Sequence, residues 1–338
     1  MKLGKVIIGI SGGADSGVSA FLLKEKGYEV VGVNFILSEN HSSQKARQIA
    51  RILNIEFMEV DISQEFKQKV IDYFLGEYLK GRTPNPCAIC NRKIKFSKLW
   101  EIAETMGADY IATGHYARVN RNPFGLFKGI DSKKDQSYFL SLVERRFLEK
   151  AIFPLGEKTR EWVLNMADKL GIKHIVSSKG SQDVCFIDGS FRDFIKDRLR
   201  NELKRGLIKN KSGKILGEHE GIALYTIGQR RRLNISTGTR QYIISLDPIR
   251  NEIILGDYED LIKTEFIVKK VNWLCERKEV EGKVKIRYHT PPFKAFAIPI
   301  SDDEVKVLLK EPATAVTPGQ IATFYLEDQV IWGGIIEN

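Results

Sequence analysis

Cysteine is scarce in this sequence, with four residues in 338, at positions 87, 90, 185 and 275. So few thiols in so long a chain do not build a disulfide scaffold, and such a set more often serves catalysis or metal binding. No apolar run reaches the ~18 residues needed to span a bilayer, so no membrane partner is expected. The first residues, Met1-Lys-Leu-Gly-Lys5, lead into a charged strand and lack a secretory signal pattern. A cytoplasmic protein is the expectation. Cys87-Ala-Ile-Cys90 has no second Cys-x-x-Cys to pair with, so a four-cysteine zinc knuckle is not closed locally. No Gly-Lys-[Ser/Thr] follows the first glycine turn, which excludes a Walker phosphate loop there.

What is present begins with Val6 to Ile10, a short β-branched run that reads as a buried strand. It enters Ser11-Gly-Gly-Ala-Asp-Ser16, and a helix is expected over Val18 to Lys26, ended by Gly27. A strand, a glycine turn and a helix N-terminus make an anion site, because free N–H groups and the helix dipole face the ligand. The two hydroxyls suit phosphate oxygens, and Asp15 suits magnesium. The stretch resembles the pyrophosphatase-type (PP) loop of enzymes that split ATP between its α- and β-phosphates to adenylate a substrate. The usual form of that loop has Val in place of Ala14 and Ser in place of Gly17.

Further strands are expected at Glu29 to Ile36 and Glu56 to Val60, with helices over Ser42 to Leu53 and Gln64 to Lys80. This alternation predicts a doubly wound parallel α/β sheet. Phe35 falls at a strand's carboxyl end, where open sheets place ligands; adenine stacking and a core role fit it equally. Pro84 and Pro86 predict an extended approach to Cys87 and Cys90, with Lys93 and Lys95 favouring thiolates. A helix is expected over Ile94 to Met106 and a strand over Asp109 to Arg118, ending in Thr113-Gly-His115. Gly114 would admit a ligand closely, and His115 reads as a phosphate or RNA contact or as a structural histidine. Lys134 is a candidate phosphate contact and Asp135 an N-cap. Cys185 is expected on a loop-then-strand pattern.

Net charge is +10, and residues 192–240 hold 13 Lys/Arg against 5 Asp/Glu. A cluster that includes Arg230-Arg-Arg232 fits a polyanionic partner. From Lys211 short strands take over, including Ile222 to Tyr225, and predict a small β-rich middle domain. From Thr264 alternating strands predict a C-terminal β-barrel.

Taken together the chain resembles the tRNA-specific 2-thiouridylases. The matching stretches are Ser11-Gly-Gly-Ala-Asp-Ser16, Gly81-Arg-Thr-Pro-Asn-Pro86 with Cys90-Asn91, Ala112-Thr-Gly-His-Tyr-Ala-Arg118, Lys134-Asp-Gln-Ser-Tyr-Phe139, Phe153-Pro-Leu-Gly156 and Ser181-Gln-Asp-Val-Cys-Phe186. They continue with Gly217-Glu-His-Glu-Gly221, Tyr225-Thr-Ile-Gly-Gln-Arg230, Arg287-Tyr288 and Val316-Thr-Pro-Gly-Gln320. Where the family follows the Thr-Ile-Gly-Gln-Arg motif with a basic residue and Gly-Leu-Gly, this chain has Arg231-Arg232-Leu233-Asn234, and Gly180 stands where an acid is common. The segment after the second strand, Ser38 to Ser42, is short.

The resemblance implies an adenine nucleotide alpha-hydrolase-like PP-loop domain over 1–196, a tRNA-contacting central domain over 197–262 and a barrel over 263–338. It implies ATP at Gly9, Ile10, Ser11, Gly12, Gly13, Ala14, Asp15, Ser16, Phe35 and Gly114, with Mg2+. The target base or tRNA would meet Asn85, Pro86, Cys87, His115, Lys134, Asp135, Gln136, Arg287, Tyr288 and Gln320. The implied reaction adenylates the C2 oxygen of the wobble uridine and replaces it with sulfur, giving 2-thiouridine, AMP and pyrophosphate. Cys185 would carry a persulfide and Cys90 would form a disulfide with it. Many relatives have Asp in place of Cys87; with Cys87, Cys90 and Cys185 the chain also offers a three-cysteine set for a [4Fe–4S] cluster, and both routes stand open. The sulfur would come from a persulfide relay protein, a cysteine desulfurase or free sulfide. A PP-loop thiolase for another tRNA base is the alternative within enzymes, and a non-catalytic nucleotide-regulated RNA-binding protein the alternative outside them.

Overall fold

The computed structural model describes residues 3–39, 41–173, 175, 184–233, 235, 239–314 and 316–337. Expectations on Gly180, Ser181, Gln182, Asp183 and Asn234 fall outside the described residues.

Strand β1 (Lys5–Gly9) leads to helix α1 (Ala14–Glu25), then β2 (Glu29–Ile36), α2 (Gln44–Ile52) and β3 (Glu56–Asp61). Helix α1 starts four residues before the expected Val18. Gly13 takes the extended N-cap position, with φ −93° and ψ 162°, and Asp15 falls in the first turn, where a carboxylate suits the helix dipole. The expected Gln64 to Lys80 helix is α3 (Ser63–Phe66), a π turn over Lys67–Ile71 and α4 (Asp72–Leu79).

The largest difference from expectation lies around the first two cysteines. Cys87 and Cys90 are helical, on α5 (Pro86–Cys90), which continues through a π turn over Asn91–Lys95 into α6 (Phe96–Thr105). Asn85 caps α5, its Oδ1 accepting from Ala88 N at 3.1 Å, and Pro86 takes the first helical position. Proline there starts a helix, because its missing N–H has no partner to lose. Spacing of i and i+3 puts both thiols on one helix face.

Strand β4 (Tyr110–Ala112) is shorter than the expected strand, because Thr113–Tyr116 leaves the sheet. A hairpin, β5 (Ala117–Arg121) and β6 (Phe124–Lys128), follows. Short helices α7 (Ser137–Leu140) and α8 (Arg145–Leu148), strand β7 (Ala151–Ile152), and helices α9 (Arg160–Lys169) and α10 (Phe191–Arg198) complete this half. The first sheet is wholly parallel, in the order β3-β2-β1-β4-β7. Separate buried clusters cover its two faces: Val6, Ile8 and Ile10 pack with α1, α2 and α9, and Ile7, Val31 and Val33 pack with α6 and α8. Burial on both faces explains the unbroken apolar run of β1.

The middle unit is a four-stranded sheet in the order β10-β11-β8-β9, from β8 (Gly206–Asn210), β9 (Ile215–His219), β10 (Tyr242–Asp247) and β11 (Glu252–Gly256). Ile222 to Tyr225, expected as a strand, forms a 3-10 turn over Ile222–Leu224 that buries all three of its residues. The last third holds β12 (Ile262–Trp273), β13 (Val280–Lys285), β14 (Phe293–Pro299), β15 (Glu304–Thr314), β16 (Ile321–Leu326) and β17 (Gln329–Ile336). They run β12-β15-β14-β13-β16-β17, and pairing of β12 with β17 closes a six-stranded barrel. The β5–β6 hairpin, from the first third of the chain, joins this barrel sheet: β6 pairs antiparallel with β17, Leu126 opposite Val330. Among the described residues no helix is long and apolar enough to cross a membrane.

Candidate functional site

The carboxyl end of β1 opens into the glycine turn. Gly12 takes φ +81°, a region where only glycine is comfortable. The Ser11 N–H donates to Ser16 Oγ at 3.2 Å, the two hydroxyls lie 3.3 Å apart, and Ser16 Oγ donates to Gly13 O at 3.1 Å. No side chain caps α1, so its first N–H groups are left for an anion. Gly9 and Ile10 end the strand, and Ala14 is buried behind the turn.

Gly114 approaches this loop closely. A Cβ there would stand 2.9 Å from Asp15 C and 2.9 Å from Ser16 N. Asp15 itself is engaged, with Oδ1 accepting from the Tyr116 hydroxyl at 2.7 Å and ion-paired to Arg160. Sequence reading missed Arg160 and Tyr116; they stand 145 and 101 residues from Asp15. Burial, the Asp15 charge and its hydrogen bond push the Tyr116 hydroxyl pKa far up.

His115 is buried. Its Nδ1 meets Thr113 Oγ1 at 2.7 Å, and its ring packs between Phe96 and Phe153. Burial, with Lys95 nearby, holds its pKa well below the ordinary value, so the ring is neutral. This is the structural arrangement of the two weighed for His115. Asp135 and Gln136 also turn inward. The Asp135 carboxylate accepts from Gly129 N, Ser137 N and Ser137 Oγ, and Gln136 Oε1 accepts from Tyr116 N at 3.0 Å. Lys134 is half-buried beside them.

From Phe96 the chain leads back to Lys95 and the thiols. The residues of Cys87 and Cys185 are exposed and that of Cys90 is half-buried, packed against the cluster that joins α4 to the middle sheet. The cleft is crowded enough that burial pushes the Cys87 thiol up to about 11 and Cys90 to about 12, and Cys185 is raised for the same reason. Lys95 opposes the rise at all three, and Cys185 acts on both Cys87 and Cys90, so the three thiols share one neighbourhood. No strand follows Cys185; a turn does, Ile187 N bonding Val184 O at 3.0 Å. Phe186 anchors that turn, its ring 5.8 Å from Phe66, 5.4 Å from Phe74 and 5.6 Å from Phe194.

The thiolate is the reactive form, so iodoacetamide labelling of Cys90 followed by peptide mass spectrometry has a definite expectation. The rate should rise about tenfold per pH unit from pH 7 to above 10, with no plateau near 8.5. A plateau at or below 8.5 would mean that the thiol is not held protonated.

Phe35 packs against the core clusters on the thiol side of β2. Among the described residues no three His, Cys, Asp or Glu side chains converge as a metal-ligand set. Cys87, Cys90 and Cys185 are all described, so the three-cysteine [4Fe–4S] set expected from sequence is not assembled.

A strap over 81–85 carries α5. Gly81 packs on Leu246 of β10, Thr83 N donates to Pro318 O at 2.8 Å, and Thr83 Oγ1 lies 3.4 Å from Thr226 Oγ1. Arg82 binds Glu77 and Glu337. Asn85 also hydrogen-bonds the buried Tyr138 hydroxyl. Arg287 Nη2 donates to Thr317 Oγ1 at 2.5 Å, Tyr288 packs 4.5 Å from Phe139, and the Gln320 N–H bonds Thr317 O. Arg287, Tyr288 and Gln320 are therefore brought to the strap, as is the turn at 226–229 that precedes exposed Arg230, Arg231 and Arg232. Within the basic segment Arg192 and Lys196 are spent on Glu220, and Lys211 on Asp260.

Three family models match in succession: the tRNA methyl transferase HUP domain over residues 4–189, the tRNA methyl transferase PRC-barrel domain over 192–257 and the aminomethyltransferase beta-barrel domain over 263–336. A tRNA-specific 2-thiouridylase MnmA 2 of Clostridium botulinum is 41% identical over 352 residues, covering 100% of this chain and 99% of the relative. The tRNA-specific 2-thiouridylase MnmA 2 of Clostridium tetani is 41% identical over 355 residues, covering 98% of each. A 4-thiouridine synthetase–RNA complex with bound ATP matches 54% of this chain and 44% of that one, at 21% identity and TM-score 0.39, too slight to bear on function. With a relative of this identity matched end to end, the chain belongs to the tRNA-specific 2-thiouridylase family.

Proposed function

We propose that the protein is an ATP-dependent tRNA-uridine 2-sulfurtransferase that converts the wobble uridine of tRNA to 2-thiouridine. The observation that supports this reading is a path that runs by contact from the glycine loop, through Gly114 and His115, to Phe96 and on, through the charge of Lys95, to the thiols. That path supports a site in which phosphate and sulfur chemistry work together.

In this reading Ser11, Gly12, Gly13, Ser16 and the α1 N-terminus hold the triphosphate, and Asp15 exchanges Arg160 for magnesium. Magnesium would supply charge neutralisation at the phosphates. The uridine C2 oxygen attacks the α-phosphorus, pyrophosphate leaves, and C2 acquires AMP as a leaving group. The terminal sulfur of a Cys185 persulfide attacks C2 and AMP departs. The Cys90 thiolate then attacks the Cys185 sulfur, so the S–S bond breaks toward the base, leaving the 2-thio group and a Cys90–Cys185 disulfide. A dithiol reductant returns two electrons and two protons to reset both thiols. The target base would be flipped toward Asn85, Pro86 and Cys87. Arg287, Tyr288, Gln320, Lys134 and the arginines at 230–232 would contact tRNA, within the three domains over 1–196, 197–262 and 263–338.

The test is nucleoside mass spectrometry on unmodified tRNA incubated with the protein, Mg-ATP and a persulfide donor that passes its outer sulfur to Cys185. The expected product is 2-thiouridine, formed only with ATP and matched one-to-one by AMP. Thiolation of another base, or none with any donor, would defeat the reading.

Gly114→Ala probes the loop separately. Its Cβ cannot be accommodated against the Asp15 and Ser16 backbone without moving the loop. The expected result is a rise in KM for ATP of about tenfold or more, with KM for tRNA unchanged, read by pyrophosphate release.

A further inference from the structure

Of the two lysines that follow the thiols, Lys95 alone acts on them; Lys93 stands with its ammonium 5.5 Å from the centre of the Tyr73 ring. Lys93 is exposed, Arg92 beside it is half-buried, and among the described residues neither has a carboxylate partner. A third cation comes from the barrel. Lys270 is exposed and has φ +53°, a left-handed backbone that a residue bearing a Cβ rarely adopts. It sits in a β-bulge: Lys269 pairs with Ile335 and Asn272 with Gly333, so three steps along β12 match two along β17. A bulge re-aims a side chain, and a strained residue within one points to a role beyond folding.

The segment around α7 brings these cations together. Asn91, the residue before Arg92, donates from Nδ2 to Phe139 O at 3.1 Å. Asn272, two residues after Lys270, donates from Nδ2 to Ser141 O at 2.9 Å and to Val143 O at 2.8 Å. Both cationic segments are thus tied to one short stretch of chain. Burial and the charges of Arg92, Lys270 and Lys69 accordingly lower the Lys93 pKa. Lys69 is spent on Glu65, which Lys98 shares. Repulsion among Arg92, Lys93 and Lys270 is left uncompensated within the chain and favours an anion from outside. The patch borders the face read above as binding tRNA: the Phe139 ring is 4.5 Å from Tyr288, and Tyr73, Phe139 and Tyr288 pack on one buried cluster. No large apolar side chain of segments 69–73, 91–95 and 268–272 is exposed, so a protein partner would lack the apolar anchor on which such interfaces depend. A phosphate backbone needs none.

We propose that Arg92, Lys93 and Lys270 form a seat for the tRNA phosphate backbone, built jointly by the π turn after Cys90 and the bulge of the barrel. The seat presupposes the tRNA substrate proposed above and adds where its backbone is gripped. Because one half of it belongs to the helix that carries Cys87 and Cys90, phosphates held there tie the RNA directly to the thiol helix.

Fluorescence titration of the full chain with labelled tRNA, from about 50 to 400 mM KCl, tests it. Each phosphate contact releases counterions and adds about 0.7–0.9 to the steepness of log K against log salt. Arg92→Gln, Lys93→Gln and Lys270→Gln should each flatten the slope by about that amount, and at about 0.1 M salt weaken binding about five- to eightfold. The triple variant should flatten it by about two to three, with ATP affinity unchanged. Lys270→Asn removes the charge but suits the left-handed backbone. It should lose the same slope while unfolding at no lower urea concentration, which separates a lost contact from a damaged fold. A triple variant with the wild-type slope overturns the proposal. A wild-type slope together with slower sulfur uptake from a protein persulfide donor also overturns it, and assigns the cations to that protein. A wild-type chain that binds no tRNA defeats the tRNA reading as well.

Discussion

Cys185→Ser protein is expected to form no measurable 2-thiouridine, a loss of at least about 10³-fold, while still binding tRNA and ATP. Serine has nearly the volume of cysteine, but its hydroxyl cannot carry a second sulfur, so the group to be transferred has no attachment. The fold should tolerate the change, because the turn is held by Phe186 in its aromatic cluster and Cys185 is an exposed residue. Cys90→Ser should differ in kind. There the persulfide can attack C2, yet nothing breaks the S–S bond, so tRNA should remain joined to Cys185 through a disulfide that dithiothreitol releases. Gel electrophoresis with and without reductant, beside nucleoside mass spectrometry, separates the two. Full activity of Cys185→Ser would end the persulfide assignment.

Arg82→Ala is expected to cost about 3 kcal/mol of folding stability, the range for breaking a buried ion pair. The Arg82 side chain is 19% exposed and that of Glu77 11%. Arg82 Nε donates to Glu77 at 2.8 Å, and Nη2 reaches Glu337 at 3.1 Å and Ile336 O at 3.3 Å. Without it Glu77 keeps only Lys80, whose side chain is 68% exposed and screened by water. Lysine should restore little, since one ammonium cannot span three acceptors in a fixed fork. The shift of the urea midpoint at constant slope measures the loss. As the strap orients α5, the same variant should lower kcat for thiolation and leave KM for ATP unchanged. A wild-type midpoint would show that other contacts hold the strap.

The glycine loop was legible because its chemistry is local: the turn, the cap position and the hydroxyls fall within six residues. The parallel sheet was legible for a similar reason, since β1 and β2 are apolar on both faces. The approach to the cysteines is extended through Asn85 as expected, but Pro86 was weighed as an extending residue, whereas Asn85 before Pro86 is a helix-start signal. Ile222 to Tyr225 has the apolar density of a strand, but its neighbours turn it into a 3-10 cap on the middle core. Other features left no local mark. The Asp15–Arg160 pair, the partner of the β5–β6 hairpin and the burial of His115 depend on contacts far apart in sequence, and a charge or an imidazole reads the same in water or in a core. Lys95 was legible as a cation near thiols, but Phe186 as their anchor was not.

The pairing of β6 with β17 bears on the order in which the chain is made. A ribosome releases Leu126 about 200 residues before Val330, roughly 10–40 s earlier at ordinary elongation rates. Through that interval the hairpin presents an open β-edge to the cell, and the glycine loop can be complete while the barrel does not yet exist. The barrel closes only when β17 pairs with β12, and the same strand then takes up β6. The final eight-residue strand thus acts as the clasp of the whole molecule, and a nascent chain stalled short of it would expose the kind of strand edge that chaperones bind.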